Sequence, residues 1–340
     1  MIANAIKRIV SGENLGRDEM YQVFSDVMDG KTTDVQKSAL LVGLRMKGET
    51  ADEITGAAMA MRERVTPLTI KRTGLVDTCG TGGDGRGTFN ISTVAAIVAA
   101  GAGASVAKHG NRAVSSSCGS ADVLSALGVK VDLDPAAMSR VLDRIGISFL
   151  FAPKLHPAMS AVAAIRRELG VRTIFNVLGP LTNPAFARRQ VIGVYAKHLV
   201  GVVADVLRAL NVEHAMVVHS EDGLDEISVS APTYVAEVND GEIRSFKVSP
   251  ADFGVSTHPG DAVGGGDAAT NAAIARAILG GQNGATRDIV VVNAGAALYV
   301  SGAASTLREG AELAAEAVRS GAARRKLEEL VSESNAAGAP

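Results

Sequence analysis

The first seventy residues carry hydrophobic positions at helical spacing and no convincing strand. One apolar series recurs every three or four residues, as on one face of an amphipathic helix: Met20, Val23, Phe24, Val27 and Met28. Gly30 is placed to end that helix, because glycine readily adopts the left-handed backbone that closes a helix. Two pairs match the capping box, in which two side chains satisfy free amides at a helix start: Thr33 with Gln36 and Thr50 with Glu53. Pro67 then closes the helical segment.

From Gly74 the pattern changes to short β-branched runs that alternate with alanine-rich helical runs. This alternation predicts a mostly parallel sheet covered by helices. Six runs are predicted to be strands: Leu75–Asp77, Ser105–Ala107, Ile147–Phe151, Gln190–Tyr195, Ala215–His219 and Ile289–Asn293. Two more, Thr233–Val238 and Glu242–Val248, flank the hairpin turn Asp240-Gly241, so the sheet is predicted to be mixed.

Helix signals lie between and after these strands. Asp134-Pro135 predicts a helix start and Gly146 its end, and residues 305–334 predict two closing helices. A further helix is predicted over Ala158–Leu169. The Gly/Pro-punctuated stretch Gly179–Pro184 follows it, and there the chain is expected to cross between domains.

The composition fits a two-domain protein without a large charged surface. At 340 residues and 47% hydrophobic composition, two domains are the starting expectation. A net charge of -2 and a pI near 6.3 argue against nucleic acid and membrane surfaces as partners. Two cysteines, Cys79 and Cys118, are too few for a disulfide scaffold. The first ten residues are too polar for a secretory signal and Val94–Ala107 is too short to span a bilayer, so a soluble, cytoplasmic protein is expected.

The segment from Asp77 to Thr93 follows a predicted strand and leads into a helix. It places five glycines between Gly80 and Gly87. Glycine lets backbone amides approach an anion without a Cβ clash, and a helix N-terminus adds favourable partial charge. The segment therefore suits a phosphate cradle, although it matches neither GxxxxGK[ST] nor GxGxxG. A flexible surface loop is the alternative, and glycine richness alone does not decide between them.

A second polar segment, Lys108–Ser120, also follows a strand and precedes a predicted helix, Ala121–Leu127. Successive strand-to-helix loops of a parallel sheet lie at one edge, where such folds bind ligands. The groups that suit a diphosphate are the charge of Lys108, the hydroxyls of Ser115 and Ser117, and the close approach that Gly119 allows. The alternative is a polar turn with a capping serine, Ser117 or Ser120, which can coexist with ligand binding.

Asp225 and Glu226 follow another predicted strand. Magnesium prefers one or two carboxylates together with waters and phosphate oxygens, so this pair is a candidate metal site. A solvated acidic turn is the usual explanation for such a pair in isolation. Beside two phosphate loops the metal site is favoured, because a diphosphate leaving group needs its charge neutralised.

Residues 156–170 combine His156 and an arginine pair with an apolar helix face. On that helix Arg166 lies at the end of the apolar strip, whereas Arg167 is expected to face water. An arginine beside apolar surface can grip a planar aromatic carboxylate with two parallel hydrogen bonds. An ordinary amphipathic helix with a solvated arginine pair is the alternative.

Together these motifs resemble the anthranilate phosphoribosyltransferase family. The order and spacing of the motifs, more than any single one, carry the resemblance over nearly the whole chain: GTGGD at Gly80–Asp84, NIST at Asn90–Thr93, KHGNR at Lys108–Arg112, GSAD at Gly119–Asp122, RRELG at 166–170, NVLGPLTNP at 176–184, GLDEIS at 223–228, GGDAATNAAIARAILGG at Gly265–Gly281 and NAGAALY at Asn293–Tyr299.

The resemblance implies a nucleoside phosphorylase/phosphoribosyltransferase-like fold with the active site in a cleft between two domains. The small helical domain would comprise residues 1–70 plus about 157–185, and the larger α/β domain residues 74–156 plus about 186–334, with a mostly parallel mixed sheet flanked by helices. A homodimer formed through the helical domain is also implied. The activity implied is transfer of the phosphoribosyl group of phosphoribosyl pyrophosphate (PRPP) to the amine of anthranilate, in tryptophan biosynthesis, with Mg2+ as cofactor.

The resemblance also implies roles for individual residues. Those implied to bind PRPP are Gly80, Thr81, Gly83, Asp84, Thr88, Asn90, Ser92, Thr93, Lys108, Ser115 and Gly119. Magnesium would be held by Ser92, Asp225 and Glu226. Anthranilate would be bound by Asn111 and Arg166, with His109 and His156 lining its channel. No catalytic side chain is implied, because the anthranilate amine is already neutral near pH 7 and the difficult step is departure of pyrophosphate, which placement and electrostatics can promote.

Two other classes share features of this pattern. A pyrimidine nucleoside phosphorylase would have a helical domain and an anion loop but no evident need for Asp225 and Glu226. A noncatalytic nucleic-acid-binding relative would keep the fold but should carry a basic groove, which the pI near 6.3 does not indicate.

Overall fold

The N-terminal part of the chain forms four helices in the computed structural model, which describes residues 1–113 and 117–338. These helices are α1 (Ile2–Val10), α2 (Arg17–Met28), α3 (Asp34–Lys47) and α4 (Ala51–Arg62). α2 packs against α4 and α1 against α3, which buries the apolar face predicted for α2, with Met20, Val23 and Phe24 fully inaccessible to solvent.

Side-chain caps define where two of these helices begin. The Gln36 amide donates to Thr33 Oγ1 at 3.3 Å, and the Thr33 amide donates to Gln36 Oε1 at 3.1 Å. Thr50 and Glu53 make the same reciprocal pair at 3.3 and 2.8 Å. Both predicted capping boxes are confirmed. Gly30 follows the end of α2 with φ +69°, as predicted for a glycine that closes a helix.

The rest of the chain is built on one seven-stranded mixed sheet. The strands are β1 (Val76–Asp77), β2 (Val106–Gly110), β3 (Ile147–Phe151), β4 (Arg189–Gly193), β5 (His214–Ser220), β6 (Thr233–Asn239) and β7 (Glu242–Val248). Their order is β3-β2-β1-β4-β5-β6-β7; the first five strands in the chain are parallel, and β6 and β7 are antiparallel. The hairpin turn is as predicted, with positive φ at both Asp240 (47°) and Gly241 (86°).

The remaining helices lie between and after these strands. They are α5 (Ile91–Gly101), α6 (Ser120–Ala126), α7 (Pro135–Ile145), α8 (Ala152–Leu155), α9 (Ser160–Leu169), α10 (Phe175–Leu181), α11 (Leu199–Ala209), α12 (Ala268–Leu279), α13 (Ala285–Ser301), α14 (Leu307–Arg319) and α15 (Ala322–Ala337). Helix α7 starts and ends as predicted, because Asp134 accepts the Ala137 amide at 2.7 Å and Gly146 adopts the left-handed conformation. None of the described helices is both long and apolar enough to cross a membrane.

One predicted strand is wrong. The run Ile289–Asn293 lies inside helix α13, which packs against α5 and α14. A short apolar run of this kind suits a buried strand or a buried helix equally, and here nearly every turn of the helix is enclosed. Gly295 and Gly310 explain the close packing of α13 on α14, since a Cβ on Gly295 would lie 2.6 Å from the Ala311 amide nitrogen.

Helices α9 and α10 pack against the N-terminal helices rather than alongside their neighbours in sequence. The rings of Phe24 in α2 and Phe175 in α10 have centroids 5.6 Å apart. Lys37 of α3 is buried and donates from Nζ to the Ala161 carbonyl of α9 at 2.9 Å. The segment after β3 therefore leaves the sheet, contributes to the helical bundle, and returns at β4. The domain limits given above remain predictions.

The strand order places a switch point beside β1. The chain leaves β1 toward β2 and β3 on one side, and later enters β4 on the other side. Loops that follow the carboxyl ends of such neighbouring strands diverge and leave a crevice, where open α/β sheets bind their ligands. The glycine-rich loop after β1 and the segment after β4 both emerge at this crevice.

Candidate active site

The glycine-rich loop between β1 and α5 is fastened to the end of β4. The Thr81 amide donates to the Gly193 carbonyl at 2.8 Å, and Thr81 Oγ1 accepts the Tyr195 amide at 3.1 Å. A Cβ on Gly80 would lie 2.9 Å from the Gly193 carbonyl oxygen. The close approach of Gly80 to β4 therefore depends on glycine, and it fixes the start of the loop.

The middle of the loop is a sequence of left-handed turns. Gly82 and Gly83 have φ values of +62° and +80°, which other residues rarely adopt. Asp84 Oδ1 then accepts the Arg86 amide at 3.0 Å. Thr88 forms an isolated antiparallel bridge with Gly264, which closes the far end of the loop against the segment before α12.

Three segments meet at the start of α5, where Asn90 precedes the first helical residue. Asn90 Oδ1 accepts the side-chain amide of Asn271 at 3.0 Å, and Asn90 Nδ2 donates to the Cys118 carbonyl at 3.1 Å. Ser92 and Thr93 lie in the first turn of α5; Ser92 is half-buried, whereas the Thr93 hydroxyl points into the core. Asn90 thus joins both predicted phosphate loops to α12.

Lys108 and its neighbours after β2 form the second loop. The buried Lys108 ammonium donates to the Thr78 carbonyl at 3.2 Å, which brings its charge beside the glycine-rich loop. Asn111 is exposed, and its carbonyl accepts the Ala121 amide at 3.1 Å. Ser115, predicted to bind PRPP, lies outside the described residues.

The cap of α6 differs from the alternative interpretation of this segment, a capping serine. Neither Ser117 nor Ser120 caps this helix; instead Asp122 accepts the Gly119 amide at 2.9 Å, and Gly119 is the residue preceding the helix. Ser117 donates to the Gly266 carbonyl and Ser120 to the Asn111 carbonyl. A carboxylate in the first turn reaches back to the preceding amide, so a nearby hydroxyl is not needed. A Cβ on Gly119 would overlap the Ala113 amide, so the close approach predicted at Gly119 is present.

Asp225 and Glu226 lie against the glycine-rich loop. The Asp225 amide donates to Asp84 Oδ2 at 3.4 Å, and the Gly82 amide lies near enough to the Asp225 carboxyl to favour its charged form. The Ser92 amide at the start of α5 lies near enough to the Glu226 carboxyl to favour its charged form. A Cβ on Gly193 would overlap the Asp225 carbonyl oxygen, so β4 and the acidic turn are in direct backbone contact.

Three acidic side chains, Asp84, Asp225 and Glu226, lie close together where the acidic turn meets the glycine-rich loop. Burial, followed by the charge of Asp84, raises the pKa of Asp225 to about 7. Burial and then the charge of Asp225 hold the pKa of Glu226 well above its ordinary range, while Lys108 opposes the shift. A freely solvated acidic turn would not show such shifts, because water would screen its charges. The carboxylates fit a cation, since a bound cation would relieve their mutual repulsion.

Another group of candidate metal ligands has a different character. Within the described part of the chain, ligand atoms of Asp77, Cys79 and His109 lie within 4.8 Å of one another. Asp77 Oδ1 accepts the His109 amide at 3.2 Å and Oδ2 accepts the Asn183 side-chain amide at 2.7 Å. Burial raises the pKa of the Cys79 thiol to about 12, whereas metals bind the thiolate. The group therefore acts as a hydrogen-bonded core that joins β1 and β2.

His109 and His156 form a buried contact near the predicted anthranilate channel. Their Nε2 atoms are 3.2 Å apart. Burial lowers the pKa of His156 to about 4, and burial together with the charge of His156 holds the pKa of His109 well below its usual value. Both rings are therefore neutral near pH 7, with one Nε2 donating its proton to the other.

Arg166 and Arg167 differ in exposure on α9, as predicted. Arg167 is exposed, whereas Arg166 is half-buried with its guanidinium carbon 5.2 Å from the centre of the Phe175 ring. Burial lowers the pKa of Arg166, and no carboxylate of the described residues offsets that burial. A partly desolvated guanidinium beside an aromatic ring is suited to an aromatic carboxylate.

Two residues of this region were not given a role from the sequence. Asn271 on α12 holds Asn90, and Arg172 reaches the Gly83 carbonyl at 2.6 Å. Asn271 lies inside one of the motifs that carried the family resemblance, and Arg172 lies between two of them. Their partners are far away in the chain, and local patterns give no signal of such contacts.

Comparison with known proteins follows the same division of the chain. The model of the glycosyl transferase family a/b domain matches residues 72–324, and that of the family's helical bundle domain matches residues 3–65. Anthranilate phosphoribosyltransferase of Anaeromyxobacter dehalogenans (strain 2CP-C) is 55% identical over 331 residues, covering 97% of this chain and 98% of that protein. The chain belongs to the anthranilate phosphoribosyltransferase family.

Solved structures agree with this assignment. Anthranilate phosphoribosyltransferase from Thermus thermophilus superposes with a TM-score of 0.91 at 43% identity, covering 97% of this chain and 99% of that one. The Saccharomyces cerevisiae enzyme in complex with PRPP and Mg superposes with a TM-score of 0.89 at 27% identity, covering 98% of each chain. The predicted fold, a small N-terminal helical domain plus a larger α/β domain, is confirmed. These relatives favour the transferase over both alternative classes.

Proposed function

We propose that this chain transfers the phosphoribosyl group of PRPP to the amine of anthranilate, releasing pyrophosphate, as a step of tryptophan biosynthesis. The observation that carries this proposal is the meeting of the glycine-rich loop with Asp225 and Glu226 at the switch point of the sheet. A loop that can bind phosphate and carboxylates that can bind a cation lie together there, as a diphosphate leaving group requires.

PRPP is proposed to bind across the two loops. The loop residues proposed for it are Gly80, Thr81, Gly83, Asp84, Thr88, Asn90, Ser92, Thr93, Lys108, Ser115 and Gly119. Left-handed glycines, the first turn of α5 and the charge of Lys108 support this assignment, because each favours a phosphate oxygen. Because the Thr93 hydroxyl is buried in the core, only the backbone of Thr93 is proposed to contact PRPP.

Ser92, Asp225 and Glu226 are proposed to hold Mg2+. The proximity of the Glu226 carboxyl to the Ser92 amide supports the grouping, as do the raised pKa values of both carboxyls. When bound, the ion neutralises charge on the diphosphate. Lys108 would add a second positive charge from within the protein.

Anthranilate is proposed to bind between α9 and the second loop. Arg166 would pair with its carboxylate, Asn111 would donate from its side chain, and His109 and His156 would line the channel. The half-buried guanidinium of Arg166 and the neutral state of both imidazoles support this arrangement. Neutral rings pack against an aromatic substrate without the cost of a buried charge.

Catalysis is proposed to proceed by placement and electrostatics. The cleft would hold the neutral amine in line with the ribose C1, while loop amides and Lys108 stabilise the charge that develops on the departing diphosphate. No side chain is assigned as nucleophile.

The helical domain is proposed to form a homodimer. Four residues share the face of α3 opposite its core side: Val35, Ala39, Val42 and Met46. Val35 and Met46 are 79% and 83% exposed, and the neighbouring Val10 of α1 is 72% exposed. An apolar stripe of this kind on a surface helix is typical of a protein interface. Replacing Val35 and Met46 by glutamate should lower the molar mass in sedimentation equilibrium, whereas Leu313→Glu on α14 should not.

A cytoplasmic location is also proposed. The chain contains only two cysteines, Cys79 and Cys118, and so low a number fits a reducing compartment.

The experiment that tests the activity mixes the purified protein with anthranilate, PRPP and magnesium and follows the loss of anthranilate fluorescence. We expect consumption that needs all three components. A protein that consumes no anthranilate, but releases base from a nucleoside in the presence of phosphate without magnesium, would instead be a phosphorylase.

A further inference from the structure

Arg172 connects the helical bundle to the glycine-rich loop. It lies between α9 and α10, and its Nη2 donates to the Gly83 carbonyl at 2.6 Å. Its guanidinium carbon also lies 4.5 Å from the centre of the Tyr195 ring, just beyond β4. Neither the proposed substrate contacts nor the proposed metal ligands include this residue.

The contact at Gly83 bears on the direction of a loop amide. In a trans peptide the carbonyl and the following amide point in opposite directions, so holding the Gly83 carbonyl also fixes the direction of the Asp84 amide. Gly83 has φ +80°, and glycine turns between left- and right-handed conformations at little cost. Without an external partner this peptide would be free to rotate, and the loop would lose a defined set of amides.

Tyr195 gives the guanidinium a second support. A guanidinium that stacks on an aromatic face has its donors directed along the plane of that face. The Tyr195 amide meanwhile donates to Thr81 Oγ1 at 3.1 Å. Arg172 and Tyr195 therefore contact the loop at two points, Gly83 and Thr81, on either side of the left-handed turn at Gly82.

We propose that Arg172 is a positioning residue that holds the glycine-rich loop in the conformation that binds the diphosphate of PRPP. This inference rests on the proposed function. Arg172 follows α9, which carries Arg166, so the same segment contributes to the anthranilate site and supports the PRPP loop. The competing explanation is that Arg172 only adds positive charge to the cleft.

The first test compares kinetic constants of the full-length protein with those of Arg172→Ala and Arg172→Lys, with Arg167→Ala as the matched control on the same segment. Arg172→Ala should raise the KM for PRPP on the order of tenfold, the effect of losing one charge-assisted hydrogen bond. Its KM for anthranilate and its melting temperature should stay close to those of the parent. Arg167→Ala should behave as the parent does. Lysine keeps the charge but not the planar fork, so it should restore only part of the loss; full restoration would overturn the proposal in favour of charge alone.

The second test uses Tyr195. Tyr195→Phe keeps the ring and should match the parent, whereas Tyr195→Ala should raise the KM for PRPP by a smaller factor than Arg172→Ala. The Arg172→Ala/Tyr195→Ala pair should be no worse than Arg172→Ala alone, because the Tyr195 ring acts only through the contact of Arg172 with Gly83, and the backbone contact of Tyr195 with Thr81 is kept in both variants. A parental KM in Arg172→Ala, or additive losses in the pair, would overturn the proposal.

Calorimetric titration of PRPP with magnesium separates this inference from the activity. Should the parent consume no anthranilate, the proposed function fails, yet the affinities of the parent and Arg172→Ala for PRPP still decide the role of Arg172. Weaker binding in the variant supports the proposal, and equal binding by both proteins overturns it.

Discussion

At the carboxyl-terminal edge of the sheet, burial raises the pKa values of Asp225 and Glu226, and the charge of a neighbouring carboxylate, Asp84 for Asp225 and chiefly Asp225 for Glu226, raises them further. At the opposite edge, Glu237 of β6 is also buried, but hydrogen bonds lower its pKa, first from His214 and then, after the opposing effect of burial, from Tyr299. His214 Nε2 and the Tyr299 hydroxyl approach Glu237 Oε1 at 2.7 and 2.8 Å.

The difference between the two edges distinguishes a binding site from a structural network. Glu237 has its partners within the chain, so its negative charge contributes to the folded state. Asp225 and Glu226 lack a sufficient counter-charge of their own, and keeping them together costs stability until a cation binds. Removing charge should therefore have opposite consequences at the two edges.

The largest effect is expected for Asp225→Asn combined with Glu226→Gln. The variant keeps the shape of the turn but removes the charge that we assign to the metal site, so turnover should fall about a hundredfold or more. The melting temperature should stay the same or rise, because repulsion between the carboxylates is relieved. A magnesium titration of turnover, with thermal melting of both proteins, checks this. Excess magnesium should restore only part of the activity.

If the folded double variant keeps the turnover and the magnesium dependence of the parent, the two edges of the sheet do not differ as proposed. The acidic turn would then be a structural feature like Glu237, and the metal assignment would be lost.

A smaller effect is expected for Arg166→Ala. Removing a charged pair with the anthranilate carboxylate should cost about 1.5 to 3 kcal/mol, or about tenfold or more in the KM for anthranilate. The KM for PRPP should change little. Arg167→Ala is the control, since that side chain is exposed on the same helix. Greater sensitivity of Arg167 than of Arg166 would show that a different face of α9 binds the substrate.

Glu237→Gln should leave turnover unchanged and lower stability. Losing charge-assisted hydrogen bonds should reduce the free energy of unfolding by about 1 to 3 kcal/mol at pH 7. Because the folded-state pKa of Glu237 is lowered, its stabilisation is present above the unfolded glutamate pKa of about 4.3 and is lost as the pH falls through the folded-state value. The difference between parent and variant in the free energy of unfolding, measured by urea denaturation, should therefore become smaller below about pH 4.3.

Glu242→Gln on the same hairpin is the matched control, because Glu242 is exposed and its pairing with Arg244 is at the surface. It should change stability by less than about 1 kcal/mol at any pH. A pH-independent difference for Glu237→Gln would indicate that packing, rather than charge, supports this edge.

Local chemistry made much of the fold predictable. Capping boxes, the Asp240-Gly241 turn and the proline at the start of α7 each act through neighbouring residues, so their signals are complete in a short stretch of sequence. The wrong strand prediction within α13 also came from a short stretch of sequence, because a short apolar run indicates that a segment is buried but not whether it is a strand or a helix.

The candidate site was predictable as a set of loops but not as a set of contacts. The parallel strands indicate that the loops share one edge, and this holds for the segments after β1, β2, β4 and β5. Contacts such as Asp84 with Asp225, or Arg172 with Gly83, depend on how distant backbones pack, and nothing near either residue encodes them.

The backbone contact between Gly193 and Asp225 has a consequence for protein engineering. Any side chain at Gly193 would occupy the position of the Asp225 carbonyl oxygen, so a saturation library at this codon should yield only glycine among active clones. Libraries that aim to alter substrate preference are better directed to the exposed glycine-rich loop, proposed for PRPP, or to α9, proposed for anthranilate. Gly193 thus marks a position where the catalytic edge tolerates no diversification without a shift of the whole acidic turn.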